Sequence, residues 1–530
     1  MKEVWNLSTN YKSSSEVSSS SKNSRQHSAF NGVVILTLAL VIVKVLSAIY
    51  RVPYQNILGD SGLYAYQQIY PIVALGMILS MNAIPSAVTQ VFGSHSGTEV
   101  FSKTLLRFQM IGLIIFSVIL VLSHPLALLM GDAHLAPMLK MASLSYLFIG
   151  ILGVIRGFYQ SRQQMNIPAI SQVIEQCIRV CVIIIAILMF MFKEWTIYQA
   201  GALAILASAL GFLGSSLYLL ATRPFRLQLN QHSYPIPWKQ LILATLVFAL
   251  SQLLVILWQF IDSFTVVHML QTYGLGFREA IMQKGIYDRG ASFIQIGLIV
   301  TTTFSFVLIP LLTDAMSDHN HVLMNRYTNA SLKITLLISV AAGIGLINIL
   351  PMMNHVFFKT DQLSFTLSIY TLTVIGVSLI MMDIALLQVM NQIRPIFIGV
   401  MSGLLFKIIF NVIFIYFMGI LGASISTVLS LIIFVTILHY EVVKYYRFNR
   451  MRAFIVKLMS ALIIMSVVIQ GLRMLLPPVG RLGSLIELLI IVGIGGLIFL
   501  LLVMYMNILG YKELKHLPFG DKLYRIKKGR

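Results

Sequence analysis

Acidic side chains are scarce in this sequence. Its 530 residues hold 18 Asp and Glu against 38 Lys and Arg, charged residues make up 11% of the chain, and hydrophobic ones 58%. Usage of this kind lies outside that of soluble globular domains. It also argues against nucleic acid as the partner of the +20 net charge, because the basic residues sit between apolar runs instead of forming one basic domain. Cysteine is nearly absent: Cys177 and Cys181 are four apart on one predicted helix, a spacing whose rigid geometry does not suit a disulfide, so both read as packing residues. No apolar stretch with a small-residue cleavage site precedes the first hydrophobic run, and the polar, Ser-rich residues 1–28 read as a disordered cytoplasmic tail. No segment between runs is long enough for a separate soluble domain, which weakens a receptor or sensor reading. GxSxG, HExxH and phosphate-cradling glycine loops are missing from fitting contexts, and His95 and His124 have no carboxylate or thiol at ligand spacing. No enzyme activity, metal or cofactor is therefore expected.

Long apolar runs fill the chain at about 31–52, 63–92, 105–129, 136–158, 168–192, 198–220, 240–269, 287–313, 330–352, 363–390, 395–417, 420–442, 454–475 and 484–508. Each is long enough to cross a hydrocarbon layer about 30 Å thick as a helix. The fold class is an all-α membrane protein with about fourteen transmembrane helices. Pro53, Pro71, Pro85 and Pro310 mark expected kinks. With the tail inside, the cytoplasmic segments collect Lys103, Arg162, Arg223, Arg226, Lys239, Arg326, Arg394, Lys444, Arg447, Arg450, Arg452 and the closing KKGR, while the opposite loops hold few cations. The positive-inside rule then places both termini on the cytoplasmic side of the membrane.

The chain also repeats itself. GLYAYQQIYPIVALGMILSMNAIPS from Gly62 matches GIYDRGASFIQIGLIVTTTFSFVLIP from Gly285; YQSRQQMNIPAISQVIEQCIRV from Tyr159 matches LQVMNQIRPIFIGVMSGLLFKI from Leu387; AGALAI from Ala200 matches LGASIS from Leu421. The offsets are 223, about 227 and 221 residues, in one order. Two parallel halves of six runs follow, at 29–222 and 238–443, with two further runs at 453–509 and a basic cytoplasmic tail at 510–530, an organisation common in transporters.

Cations inside these runs need an explanation. Lys44 lies roughly 20 Å along the first run from Asn31, and Arg51 falls seven residues later on the same face. The repeat pairs Arg179 with Lys407, each roughly 17 Å from the cytoplasmic end of its helix. Arg289 follows Asp288 at the start of the eighth run. Buried cations facing a shared aqueous cavity read as a site for an anionic substrate, with Lys44, Arg51, Arg179, Arg289 and Lys407 as its candidates. The plainer reading has Arg51 and Arg289 reaching to the interface, Glu175 neutralising Arg179 at i, i+4, and Asp262 pairing with either arginine; Glu175, Asp262 and Asp288 are thus the possible charge partners. The many Met and Phe residues read as packing or as the lining of a lipid groove.

KVLSAIYRVPYQNILGDSGLYAYQQIYP, RGFYQSRQQMNIPAISQVIEQCIRV, GIYDRGASFIQIGLIVTTTFSFVLIP and NVIFIYFMGILGASIST together resemble the polysaccharide-transporter branch of the multidrug/oligosaccharidyl-lipid/polysaccharide exporter superfamily, most closely its stage V sporulation protein B-like flippases, relatives of the lipid II flippases. The resemblance implies two six-helix lobes, two extra C-terminal helices, and alternating access that moves an undecaprenyl-pyrophosphate-linked saccharide outward. Lys44, Arg51 and Arg289 match the positions of cations that lipid II flippases need, with one residue more between the first two. Tyr64 and Tyr66 stand where those relatives carry an acidic residue, and an arginine is missing near Asn82. The implied partners are the lipid-linked saccharide, anionic membrane lipids, and synthesis enzymes of wall or surface polysaccharide; no nucleic acid is implied. A cation or drug antiporter of the same superfamily would want buried carboxylates, and a membrane polymerase would want a large outer loop or an intramembrane His/Asp pair.

Overall fold

The computed structural model describes residues 50–93, 97–222, 225, 236–305, 312–313, 315–316, 318–475, 480–510 and 513. Lys44 with the rest of the first run to residue 49, the tail 1–28, Pro310 and residues 514–530 lie outside them. All regular structure among the described residues is helical. In a lipid solvent this is expected, since a helix satisfies its own backbone groups where no water can. Twelve stretches, from Arg51–Phe92 to Gly480–Tyr505, are long and apolar enough to cross a membrane. They coincide with twelve of the fourteen runs; 31–52 falls almost wholly outside the described residues, and 287–313 is described as helix at 287–288, over Gly290–Ser305 and at 312–313. The chain is a multi-pass membrane protein.

The chain divides into two compact units, one ending at Phe264 and the other beginning at Thr265. The first contains α1 (Arg51–Ile78), α2 (Ile84–Phe92), α3 (Thr98–Val121), α4 (Ser123–Leu129), α5 (Ala136–Ser143), α6 (Ile149–Ser161), α7 (Asn166–Phe192), α8 (Ile197–Ala221) and most of α9 (Trp238–Tyr273). The division falls within α9, not in the polar segment before it, because the early part of α9 packs on the first unit. Ala249 and Leu253 join Ala83 in a small apolar cluster, and the Trp238 and Phe108 rings meet edge-on at 6.4 Å. The second unit contains α10 (Phe277–Asp288), α11 (Gly290–Ser305), α12 (His321–Phe358), α13 (Ser364–Thr371), α14 (Thr373–Val389), α15 (Arg394–Met418), α16 (Ile420–Tyr445), α17 (Met451–Leu475) and α18 (Gly480–Tyr505). One apolar core runs through it, from Val266 and Leu270 to Val503 and Leu509.

Two breaks shape the first long helix. Gly59 has φ +75° inside α1, a left-handed conformation that glycine adopts without penalty, and this is the kink of the segment. No helical distortion accompanies Pro53 or Pro71. Further on, Leu79–Ala83 form a π turn in which the Ile84 N–H reaches back five residues to the Leu79 carbonyl. Pro85 follows directly and has no N–H to continue the pattern, so the Ser80 carbonyl accepts from Arg156 Nη1 at 3.3 Å instead.

The repeat is visible in the backbone. α7 pairs with α8 and α15 with α16 as the two most extensive helix packings. The turns leading into α7 and α15 are alike: Gln163 and Asn391 both take positive φ. The Gln164 N–H donates to the Tyr159 carbonyl at 2.9 Å, and the Gln392 N–H to that of Leu387 at 2.8 Å, the same six-to-one closure of a helix end.

Candidate functional site

In the first unit, α1 carries a tyrosine cluster around Arg51. The Tyr50 and Tyr66 hydroxyls are 3.0 Å apart; the Tyr66 ring lies 5.3 Å from that of Tyr54 and 5.9 Å from that of Tyr70. Arg51 is only 5% exposed, and its guanidinium stands 5.3 Å from the Tyr70 ring centre, a cation–π geometry. Its Nε has no hydrogen-bond partner among the described residues. Arg51 is therefore packed against rings within the protein. Nearby, buried Gln68 donates through Nε2 to the carbonyls of Met130 (3.3 Å) and Ser263 (2.5 Å), tying α1 to the end of α4 and to α9.

A second cluster centres on Glu175. Its Oε1 accepts from Arg179 at 2.8 Å and its Oε2 from Arg156 at 2.9 Å, and all three side chains are almost fully buried. Arg156 also donates to Ser171 Oγ and Ser215 Oγ, each at 2.9 Å, and Arg179 to Gln176 Oε1 at 3.0 Å. Two guanidinium groups share one carboxylate, so the trio retains one positive charge. Sequence reasoning missed Arg156, which stands two residues before the end of the apolar run 136–158. A signal existed: Ser171, Glu175 and Arg179 recur every four residues on α7 beside Gln172 and Gln176, a buried polar stripe that requires partners from another helix.

In the second unit Lys407 is fully buried. Its Nζ donates to Thr427 Oγ1 at 2.7 Å, Asn411 Oδ1 at 3.0 Å, Ser426 Oγ at 3.1 Å and the Ala423 carbonyl at 3.4 Å. Asn411 in turn donates to Thr265 Oγ1 at 2.8 Å. The Thr427 hydroxyl also lies 3.3 Å from that of Tyr287, whose ring stacks on Tyr370 at 4.4 Å. Polar side chains thus run from Lys407 to the residue two before Arg289. Arg289 is 1% exposed; its Nη1 donates to Asn354 Oδ1 at 3.1 Å and its guanidinium lies 5.2 Å from the Phe358 ring centre. Asp288 pairs with Lys284 one turn back on α10. Asp262 is buried on α9. One further pair was not foreseen: fully buried Asp383 on α14 faces His439 on α16, with Oδ2 3.5 Å from Nδ1, beyond hydrogen-bond length. No group of three metal-ligating side chains occurs among the described residues.

Residues 29–316 match the family model described as polysaccharide biosynthesis protein. The chain belongs to that family. An uncharacterized membrane protein of Bacillus subtilis (strain 168), YabM, is 30% identical over 525 residues, covering 96% of this chain and 98% of its own. The lipid II flippase MurJ of the same organism is 25% identical, covering 76% and 80%. Among solved structures, the inward closed conformation of a lipid II flippase MurJ superposes with a TM-score of 0.67 at 17% identity, covering 89% of this chain and 99% of that one. The fold is thus that of the multidrug/oligosaccharidyl-lipid/polysaccharide exporters, as the sequence motifs imply.

Proposed function

We propose that this protein is a flippase that carries a prenyl-pyrophosphate-linked saccharide to the outer leaflet by alternating access between two lobes. The observation that carries the reading is the burial of cationic groups in both units: Arg51 and the Arg156–Glu175–Arg179 trio with its residual positive charge in the first, Lys407 and Arg289 in the second. Ionisable groups cost several kcal/mol inside a membrane and are kept there for ion or substrate paths. A pyrophosphate bears about two negative charges, and each moved outward down an inside-negative potential releases roughly 2.3 kcal/mol per 100 mV. Potential alone can give such transport a direction. Of the buried carboxylates that a cation antiporter would use, Glu175 is committed to two arginines and Asp288 to Lys284; Asp383 beside His439 is one that this alternative would rest on.

The test is transfer in proteoliposomes. The purified chain should move a fluorescent prenyl-pyrophosphate disaccharide between leaflets faster under an imposed inside-negative potential. Lys407→Gln and Arg289→Gln should slow it by tenfold or more, while Lys193→Gln, an exposed loop cation, should not. Lys407→Arg should be better tolerated than Lys407→Gln. Transfer of the lipid at the protein-free rate, or equal rates for all these variants, overturns the reading.

A further inference from the structure

We propose that the second unit holds the phosphate of an anionic membrane lipid in a cavity between the first turns of α12 and α17 and the end of α18. The proposal does not depend on the flippase reading. The cavity measures about 1020 Å³ and its walls carry Arg326, Lys333, Arg450 and Lys457 against one carboxylate, Glu513. Lys333 is committed to that carboxylate at 2.7 Å. Among the described residues, Arg326, Arg450 and Lys457 form no ion pair, so three positive charges converge on one space. Convergent cations of this kind are a site for phosphate oxygens.

The site is built, not a chance of loose surface chains. Asn325 and Asn329, one turn apart on α12, clamp the loop before α17: Asn325 Oδ1 accepts from the Arg447 N–H at 3.0 Å, Asn329 Oδ1 accepts from the Asn449 N–H at 2.8 Å, and Asn329 Nδ2 donates to the Arg447 carbonyl at 2.5 Å. This fixes the loop that presents Arg450, which takes φ +57°, a conformation uncommon outside glycine. Ala453 on the cavity wall belongs to the first turn of the 25-residue α17, where unpaired backbone N–H groups add to the pull on an anion.

Lipid is favoured over a soluble anion by what surrounds the charges. Phe454 and Ile508 form an apolar part of the wall. The outward faces of α17 and α18 expose Val456, Ile463, Val467, Leu497 and Leu501, apolar surface of the kind that acyl chains cover. Arg326 and Lys333 are seven residues apart on one face of α12, about 10 Å along the axis, so the cationic wall runs from an exposed rim to half-buried depth. The same end of the unit carries Lys444, Arg447 and Arg452, which by the positive-inside rule places it at the anionic cytoplasmic leaflet.

The experiment places the full chain in phosphatidylcholine vesicles and measures, by electron spin resonance, the motionally restricted fraction of spin-labelled phosphatidylglycerol and of spin-labelled phosphatidylcholine. Phosphatidylglycerol should be preferred, and the double variant Arg326→Gln, Lys457→Gln should lower its relative association by at least about tenfold. The charge-matched control Arg447→Gln, Arg452→Gln, on the same end but off the cavity wall, should leave the preference within about twofold. A variant with Arg326→Lys and Lys457→Arg, which keeps both charges, should also retain it and guards against misfolding. Equal loss in the control, or no preference for phosphatidylglycerol in the parent chain, overturns the proposal. Displacement of the lipid by inorganic pyrophosphate at micromolar concentration would assign the cavity to a soluble anion and overturn it too.

Discussion

Arg179 and Lys407 stand at matching places in the two halves, yet they are held differently. Arg179 donates to a carboxylate that it shares with Arg156, whereas Lys407 donates to an amide, two hydroxyls and a carbonyl. In the first unit the negative charge that balances two guanidinium groups is concentrated in one side chain, Glu175, with neutral oxygens of Ser80, Ser171, Gln176 and Ser215 completing their hydrogen bonds. In the second the support of Lys407 is spread over several oxygens from α15 and α16. A concentrated arrangement is fragile at one point; a distributed one loses a part at a time.

The sharpest way to break this comparison is Glu175→Gln. It leaves two buried guanidinium groups with no carboxylate and should cost about 3–5 kcal/mol, read as a large fall in the thermal midpoint of the detergent-solubilised protein and in its membrane abundance. Thr427→Val removes one of the oxygens around Lys407 at nearly constant shape, and should cost about 1.5–3 kcal/mol. If Thr427→Val proves as damaging as Glu175→Gln, the distributed arrangement is wrong.

A smaller contrast tests whether the halves are packed as well as charged differently. Gly201 and Gly422 are equivalent in the repeat. A methyl group at Gly422 would run into the Phe414 backbone carbonyl, while one at Gly201 would meet Met138 Cε, the end of a flexible side chain, at 2.7 Å. Gly422→Ala should therefore destabilise by about 1–3 kcal/mol, and Gly201→Ala by less. Equal thermal midpoints for the two variants would show that the α15–α16 contact can give way.

Much of this was legible before any coordinates. Apolar runs of span length give helices because lipid leaves the backbone no alternative, and the i, i+4 spacing of Glu175 and Arg179 already announces their pair. What did not show is whatever depends on contacts across many residues. Arg156 reaches Glu175 and Ser80 from another helix, and Arg289 finds Asn354 and Phe358 more than sixty residues away. Asp288, placed by sequence beside Arg289, turns instead to Lys284 on its own helix. The Asp383–His439 pair joins two helices with no local sign in either. Proline was also a poor guide to bending in α1, because the break at Gly59 needs a positive φ, which proline cannot supply.

The π turn at Leu79–Ala83 bears on why a buried arginine is needed beside it. One additional residue in the turn advances the phase of everything after it by about 100°, which brings Ile84 and Val88 against Gly153 and Gly157 of α6. At the site of that phase shift the Ser80 carbonyl has lost its amide donor to Pro85, and the Arg156 guanidinium serves as the substitute proton source. The carbonyl that Pro85 leaves without an amide donor is thus satisfied by a charge that belongs to another helix. Without Arg156 the Ser80 carbonyl would be a buried acceptor left unmet in the middle of the segment Arg51–Phe92.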